Sequence, residues 1–203
     1  MIPVMSSSAD HLLVTVADQP AIVIATPGAE PVAPGGYAAA LLLDGDAQLQ
    51  REGLEVPEHV LGHWMRAATL VRSARDGGVV VVTAEYDDAV AALVQMNPIS
   101  WADRQLLQRQ QLGLPPTVRV AELLGPLNEV QATIRQTPLP YQAEQSPWIG
   151  PVPFDDHAHR ALLFFPHHVA DQVIAALKTT RAQLSARGET TTVRLRIDPT
   201  DVL

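Results

Sequence analysis

The densest run of side chains suited to one chemistry lies late in the chain. From His157 to Arg196 there are Arg160, Lys178, Arg181, Arg187, Arg194 and Arg196 against only Asp171 and Glu189, a local balance of +4 in a protein of net charge −8. Guanidinium groups on one surface hold phosphate oxygens through charge-assisted hydrogen bonds. Arg194 and Arg196 alternate with Val193, Leu195 and Ile197, a period of two that sends both arginines to the same polar face of a strand. Lys178 and Arg181 share a helix face at i,i+3 spacing. The competing reading is a solvated or packed surface carrying ordinary charges.

Other constellations are weaker. Leu43-Asp44-Gly45-Asp46 puts two carboxylates after an apolar run, at the strand end where α/β sites gather, but no third metal ligand lies close in sequence, which favours a polar turn. His59 and His63 stand at i,i+4 in H-V-L-G-H, without the glutamate that H-E-x-x-H places between its histidines. His157/His159 form a second pair, and His167 and His168 are expected to open a long helix as capping or surface groups. No G-x-S-x-G, G-x-x-x-x-G-K-[ST] or G-x-G-x-x-G occurs, so a serine elbow and both phosphate-cradling loops are missing. The Gly-rich piece Pro27-Gly28-Ala29-Glu30 has no lysine, and its glutamate would repel phosphate. No metal site is expected.

The elements that must position these residues divide at Gly113-Leu114-Pro115-Pro116, where two prolines stop a helix. We place residues 1–115 in one domain and 116–203 in a second. The first carries six basic and 13 acidic side chains, the second eight and nine. Before the break, Leu12–Val16, Ala21–Ala25, Ala38–Leu43 and Val79–Val82 have strand length, with apolar runs that suit a sheet covered on both faces. Val56, Val60, Trp64, Ala68 and Val71 mark a helix from about Glu55 to Ala74, so strand, helix and strand form a parallel crossover. Helices are expected over Asp87–Gln95 and Ser100–Gln111, with Ser100 as N-cap. The first domain is therefore expected to be part of an open α/β unit with a parallel sheet.

After the break, strands are expected at Val118–Leu124, Trp148–Val152, Ala161–Phe165 and Thr191–Asp198, with helices at Asn128–Gln136 and His168–Ala186. The order βαββαβ is that of a ferredoxin-like split unit. First and last strands are neighbours there, so Arg119, between Val118 and Val120, is expected on the face of Arg194 and Arg196.

Composition bounds the rest. The 203 residues are 47% hydrophobic and 18% charged, with no cysteine, which leaves a sizeable core and excludes disulfides, thiolate zinc sites and a cysteine nucleophile. No apolar run approaches the ~18–20 residues that cross a bilayer, and no secretory signal pattern opens the chain. A soluble, cytoplasmic protein without membrane partners is expected.

Several short motifs fall in the order of one family: Leu41-Leu42-Leu43-Asp44, the Arg66–Gly78 stretch, Gly113-Leu114-Pro115-Pro116, Gly150-Pro151-Val152-Pro153 and Arg196-Ile197-Asp198-Pro199. From about Ala21 onward the chain resembles the C-terminal third of the primosomal protein N′ (PriA) family, the helicase-like replication-restart proteins of bacteria. It is most similar to the divergent actinobacterial type, through Ala25-Thr26-Pro27-Gly28-Ala29-Glu30-Pro31. The resemblance implies that residues 1–115 end the second RecA-like helicase lobe and that 116–203 form an S10-like C-terminal domain that binds branched DNA. A half-lobe beginning mid-fold is expected to belong to a longer polypeptide.

Departures from the family bear on enzymology. Its helicases end the second lobe with Q-V-A-G-R-A-G-R, whose arginines reach the ATP γ-phosphate. Here the run is Met65-Arg66-Ala67-Ala68-Thr69-Leu70-Val71-Arg72, and only Arg72 remains of the arginine motif. Loss of an arginine finger costs ~10³–10⁵ in rate in other phosphate-cleaving enzymes. The family's ATP, magnesium and zinc are bound through residues that this chain does not contain, so no cofactor and no ATPase activity are expected. After Gly-Pro-Val-Pro the family often has a basic, aromatic loop, where this chain has Phe154-Asp155-Asp156-His157-Ala158-His159-Arg160. Its carboxylates weaken phosphate contact, while Phe154 and Trp148 remain able to stack a base, Trp148 being better suited to the core.

The resemblance thus implies a non-catalytic part of a PriA-like protein that binds branched or single-stranded DNA through Arg119, Arg160, Lys178, Arg181, Arg194 and Arg196. Its implied partners are primosome proteins, single-stranded-DNA-binding protein and the upstream helicase lobe. The alternative is a protein-interaction module that docks on that lobe or on primosome partners without touching DNA. A metal-dependent enzyme using Asp44, Asp46 and a histidine is the third reading.

Overall fold

The computed structural model describes residues 1–85, 87–142, 146–188 and 192–200. The chain divides into two compact units, Met1–Ala102 and the residues from Asp103 onward.

In the first unit, β1 (Val4–Ser7) pairs in parallel with β2 (Ile22–Ala25), and β3 (Ala39–Leu42) pairs in parallel with β4 (Val79–Val82). Between β3 and β4 run α1 (Gly45–Leu49) and α2 (Val56–Thr69), as the expected crossover requires. The apolar stripe of α2 puts Val60, Leu61 and Trp64 into a core with Ala89, Val90 and Leu93 of α3 (Asp88–Val94), against which Leu42 and Val82 pack. The parallel strands form two separate ribbons rather than one continuous sheet.

Three local expectations are corrected. Leu12–Val16 is not a regular strand. It contributes a single Thr15–Val32 bridge, while the more polar Val4-Met5-Ser6-Ser7 pairs with β2, because ladder hydrogen bonds need backbone rather than apolar side chains. Helix α2 stops at Thr69 instead of Ala74. Val71 bridges to Tyr37, and Ser73 caps a 3₁₀ turn over Ala74–Asp76 by accepting from the Asp76 amide. Ser100 is not an N-cap: α4 (Pro98–Leu112) begins two residues earlier, and the Asn97 side chain accepts from the Ser100 amide at 3.2 Å. Proline suits that first helical position because its missing N–H would have no partner there.

The second unit contains β5 (Arg119–Gly125), α5 (Leu127–Gln136), β6 (Trp148–Pro153), β7 (His159–Phe165), α6 (Ala170–Ala186) and β8 (Arg194–Ile197). The four strands form one antiparallel sheet in the order β6-β7-β5-β8. Odd-numbered residues of β5, β7 and β8 point to one face. There Ala121, Leu163 and Phe165 pack on Val173 and Leu177 of α6, while Leu123 and Ala161 pack on Val130 of α5. Trp148 joins this core. His167 and His168 do not begin α6. They lie in a 3₁₀ turn, His167–Val169, with His167 Nε2 2.8 Å from the Pro116 carbonyl oxygen. Of the expected last strand, Thr191 lies outside the described residues, as does Glu189 in the charge count.

Candidate nucleic-acid interface

Strand pairing decides which cations share a surface. In the antiparallel ladder Leu124 lies opposite both Arg160 on β7 and Arg194 on β8. Directly opposite residues point the same way, so Arg160, Leu124 and Arg194 form one row across the sheet, extended by Val152 on β6. With strands ~4.8 Å apart, the two arginines leave the sheet about 10 Å from each other. The next row holds Leu162, Glu122 and Arg196. All of these point away from α5 and α6. Arg160, Arg194 and Arg196 are thus brought together on the face opposite α5 and α6.

The three are not equivalent. Arg196 Nη1 reaches Glu122 Oε2 at 3.4 Å, and Glu122 is buried, with 1% exposure. That carboxylate neutralises Arg196 from beneath. Arg194 is exposed and Arg160 half-buried, and among the described residues neither has a carboxylate partner. This face is also closed toward the start of β5, where Val120 is buried opposite Phe164 and Leu162 is buried beside Glu122. The accessible cations therefore lie at the Leu124 end.

Arg119 does not join this face, a correction of the sequence-based expectation. It pairs with Phe165 and has the parity of Ala121 and Leu123, which is the helix-covered side. Its guanidinium Nε and Nη2 donate to Asp198 Oδ2 at 2.8 and 2.6 Å. Lys178 and Arg181 also stand apart. They flank the buried Val173, Leu177, Thr180 and Leu184 stripe of α6, Lys178 exposed and Arg181 half-buried, on the layer opposite to Arg160 and Arg194.

The β6–β7 hairpin lies beside the accessible Leu124 end of this face. Gly150 takes φ +89°, and a Cβ there would lie 2.6 Å from the Arg160 carbonyl oxygen, so glycine is required where β6 bulges between Ile149 and Val152. At the tip, the Phe154 amide donates to the Ala158 carbonyl at 2.9 Å. Asp155 Oδ1 accepts from the amides of His157 and Ala158 at 2.8 and 2.7 Å. These amides hold the Asp155 carboxyl below its ordinary pKa, with a smaller contribution from the nearby histidines. Phe154 is half-exposed, and the Arg160 guanidinium lies 5.3 Å from its ring centroid. His159 points to the helix side, where its Nδ1 is buried without a hydrogen-bond partner.

The remaining candidates have local structural roles. Asp46 Oδ1 accepts from the Glu85 amide at 2.8 Å, and Asp44 adopts φ 56° at the start of α1. His59 and His63 line an open cleft of about 410 Å³ with Pro27, Gln48 and Arg51, and His63 Nδ1 meets Arg66 Nη2 at 2.9 Å. Among the described residues no group of three His, Asp or Glu side chains is placed to hold a metal ion. Arg72 lies beyond α2, its amide bonded to the Tyr37 carbonyl at 3.1 Å. Sequence reasoning missed Glu122 and Asp198. The one signal for Glu122 is a lone carboxylate inside the apolar run Val120-Ala121-Glu122-Leu123-Leu124.

Residues 110–200 match the family described as Primosomal protein N C-terminal domain. The chain is 40% identical over 210 residues to the probable replication restart protein PriA of Mycobacterium leprae (strain TN), covering 97% of this chain and 32% of that relative. It is also 40% identical over 213 residues to the protein of the same description from Mycobacterium tuberculosis (strain ATCC 25618 / H37Rv), with 97% and 32% covered. The chain therefore spans about a third of the length of the curated relatives it matches. The βαββαβ unit falls inside the matched residues, and residues 110–200 of this chain are a Primosomal protein N C-terminal domain.

Proposed function

We propose that this chain is a non-catalytic, DNA-contacting part of a PriA-like replication restart protein. The observation that carries this reading is the convergence of Arg160, Arg194 and Arg196 on the face of the β6-β7-β5-β8 sheet opposite α5 and α6. That strand order, with α5 and α6 on the other face, supports a ferredoxin-like reading of the domain. Arg160 and Arg194 hold phosphates of branched or single-stranded DNA, and Arg196 contributes less because Glu122 already faces it. Lys178 and Arg181 supply a second contact on the helix layer. Arg119 is left out, since Asp198 holds it.

The parallel β3–β4 pair with its crossover helix supports the reading of residues 1–115 as the end of a RecA-like lobe. Met65–Arg72 retains one arginine of the family's motif, so we assign this chain no ATP hydrolysis and no cofactor of its own. Primosome proteins and single-stranded-DNA-binding protein are the partners that replication restart implies, and the cytoplasm the compartment. No helix among the described residues is long and apolar enough to cross a membrane.

Fluorescence anisotropy with a forked duplex at low salt tests DNA contact. Binding that falls when Arg160 and Arg194 become alanine supports it, and absence of binding rejects it.

A second reading has its own observation. Leu41 and Leu43 are 66% and 57% exposed, and Val79 and Val81 on β4 are also open. An uncovered apolar parallel pair suits docking on a protein surface such as the upstream helicase lobe. Co-purification of this chain with that lobe in the absence of DNA, beside loss of DNA binding by the chain alone, favours this reading.

A further inference from the structure

Building on the DNA-contact reading, we infer that Phe154 and Arg160 form a stacking platform for one unpaired base, which makes single-stranded DNA the ligand of the open sheet edge. Phe154 is 51% exposed although its ring is large and apolar. It does not hang on a loose loop: the Phe154 and Asp155 amides both donate to the Ala158 carbonyl, and Asp155 closes the turn through the His157 and Ala158 amides. The ring is thus presented on a built turn, with the Arg160 guanidinium 5.3 Å from its centroid. Beyond Arg160 the surface continues through Leu124 to Arg194.

An aromatic face, a half-open apolar floor and two flanking cations match the parts of a nucleotide. The base lies on the ring, and phosphates on either side reach Arg160 and Arg194. In a duplex the base faces are already stacked on one another, so a ring lying along a sheet edge gains nothing from paired DNA. Two carboxylates stand at the same tip. Asp155 is turned onto backbone amides, and Asp156 is exposed, which sets a limit on phosphate density there and favours one stacked base over a long backbone track.

The test uses the full chain with a ten-nucleotide oligothymidylate carrying one 2-aminopurine, and a blunt duplex as comparison, both at low salt. Phe154→Leu keeps an apolar side chain and removes the π-face, whereas Phe154→Trp keeps it. The expected result is a roughly 5- to 100-fold loss of single-strand affinity in Phe154→Leu, retention in Phe154→Trp, and no change toward the duplex. Quenching of 2-aminopurine on binding is expected with the native chain and Phe154→Trp and lost with Phe154→Leu. Equal affinities of native and Phe154→Leu proteins for the single strand, or equal losses toward both DNAs, would overturn the platform. Arg194→Ala separates the two levels: if it weakens both DNAs while Phe154→Leu weakens neither, phosphate contact stands and stacking falls. If the native chain binds neither DNA, the underlying reading falls and takes the platform with it.

Discussion

Arg119 and Asp198 close the junction between the first and last strands of the C-terminal sheet. One carboxylate oxygen of Asp198 accepts two guanidinium hydrogen bonds, at 2.8 and 2.6 Å, while the other accepts from the Val120 amide at 3.0 Å. The Asp198 amide in turn donates to the Val120 carbonyl at 2.8 Å. Four hydrogen bonds thus fix where β8 ends beside β5, and through that register they decide that Arg194 and Arg196 face away from the helices.

Asp198→Ala removes the acceptor for both Arg119 and a half-buried amide. Because the pair is partly exposed, with side-chain exposures of 28% and 47%, the expected loss is about 1–2 kcal/mol rather than that of a buried ion pair. Urea denaturation should show a lower midpoint with an unchanged slope. Arg119→Ala should leave DNA affinity within about twofold of the native chain, because its guanidinium is already engaged on the other side of the sheet; the converse, a loss as large as that of Arg194→Ala, would return Arg119 to the interface.

Glu122 gives a different kind of prediction. It is buried beneath Arg196, so Arg196→Ala deprives a buried carboxylate of a cation and should destabilise the domain by about 2–3 kcal/mol. Glu122→Gln removes a negative charge from the same face. It should tighten DNA binding, measured by anisotropy at constant salt, where Arg196→Ala loosens it.

Gly150 carries the bulge of β6. A methyl group there meets the Arg160 carbonyl at 2.6 Å and the Val152 amide at 3.0 Å, at a φ of +89°. Gly150→Ala should lower stability by about 1–3 kcal/mol, visible as a reduced melting temperature. Gly188→Ala is a useful comparison, as its φ is also positive but no atom lies within 4 Å of the added methyl; its cost should be smaller.

The tip of the β6–β7 hairpin should respond to acid. Asp155 is held below its ordinary value of 3.8 by the His157 and Ala158 amides. A depressed carboxylate contributes stability above its unfolded pKa, and that contribution is lost as pH falls through the lower folded value. Exchange protection of the His157 and Ala158 amides should therefore be full near neutrality and decline only below about pH 4. Asp155→Ala should remove the protection at every pH.

Much of the C-terminal unit was legible because its signals are local. The alternation of Val193, Leu195 and Ile197 with the arginines fixed the faces of β8, and a helix was expected over His168–Ala186, where α6 runs from Ala170 to Ala186. Arg119 was misplaced by one step of register. Its position between two valines says that it lies on a strand, but parity relative to β8 depends on Asp198, 79 residues away. A slip of one residue exchanges the faces. Glu122 was invisible for a related reason: only the pairing of β5 with β8 puts it under Arg196. In the first unit, Val4–Ser7 was hidden because its pairing with Ile22–Ala25 uses backbone groups, and the Ser100 capping signal lost to Asn97 because Pro98 opens the helix. The Phe154–Arg160 contact needed the turn closed by Ala158 and Asp155 before the two side chains could meet.

Contact of Arg160 and Arg194 with phosphates, from the sheet face opposite α5 and α6, is read out by the salt dependence of binding. Log affinity for a forked duplex, plotted against log salt, should fall linearly for the native chain. The slope should become shallower by roughly 1.5–2 in the Arg160→Ala/Arg194→Ala double variant, as two phosphate contacts and their counterions are lost. Parallel lines for the two proteins would contradict the claim.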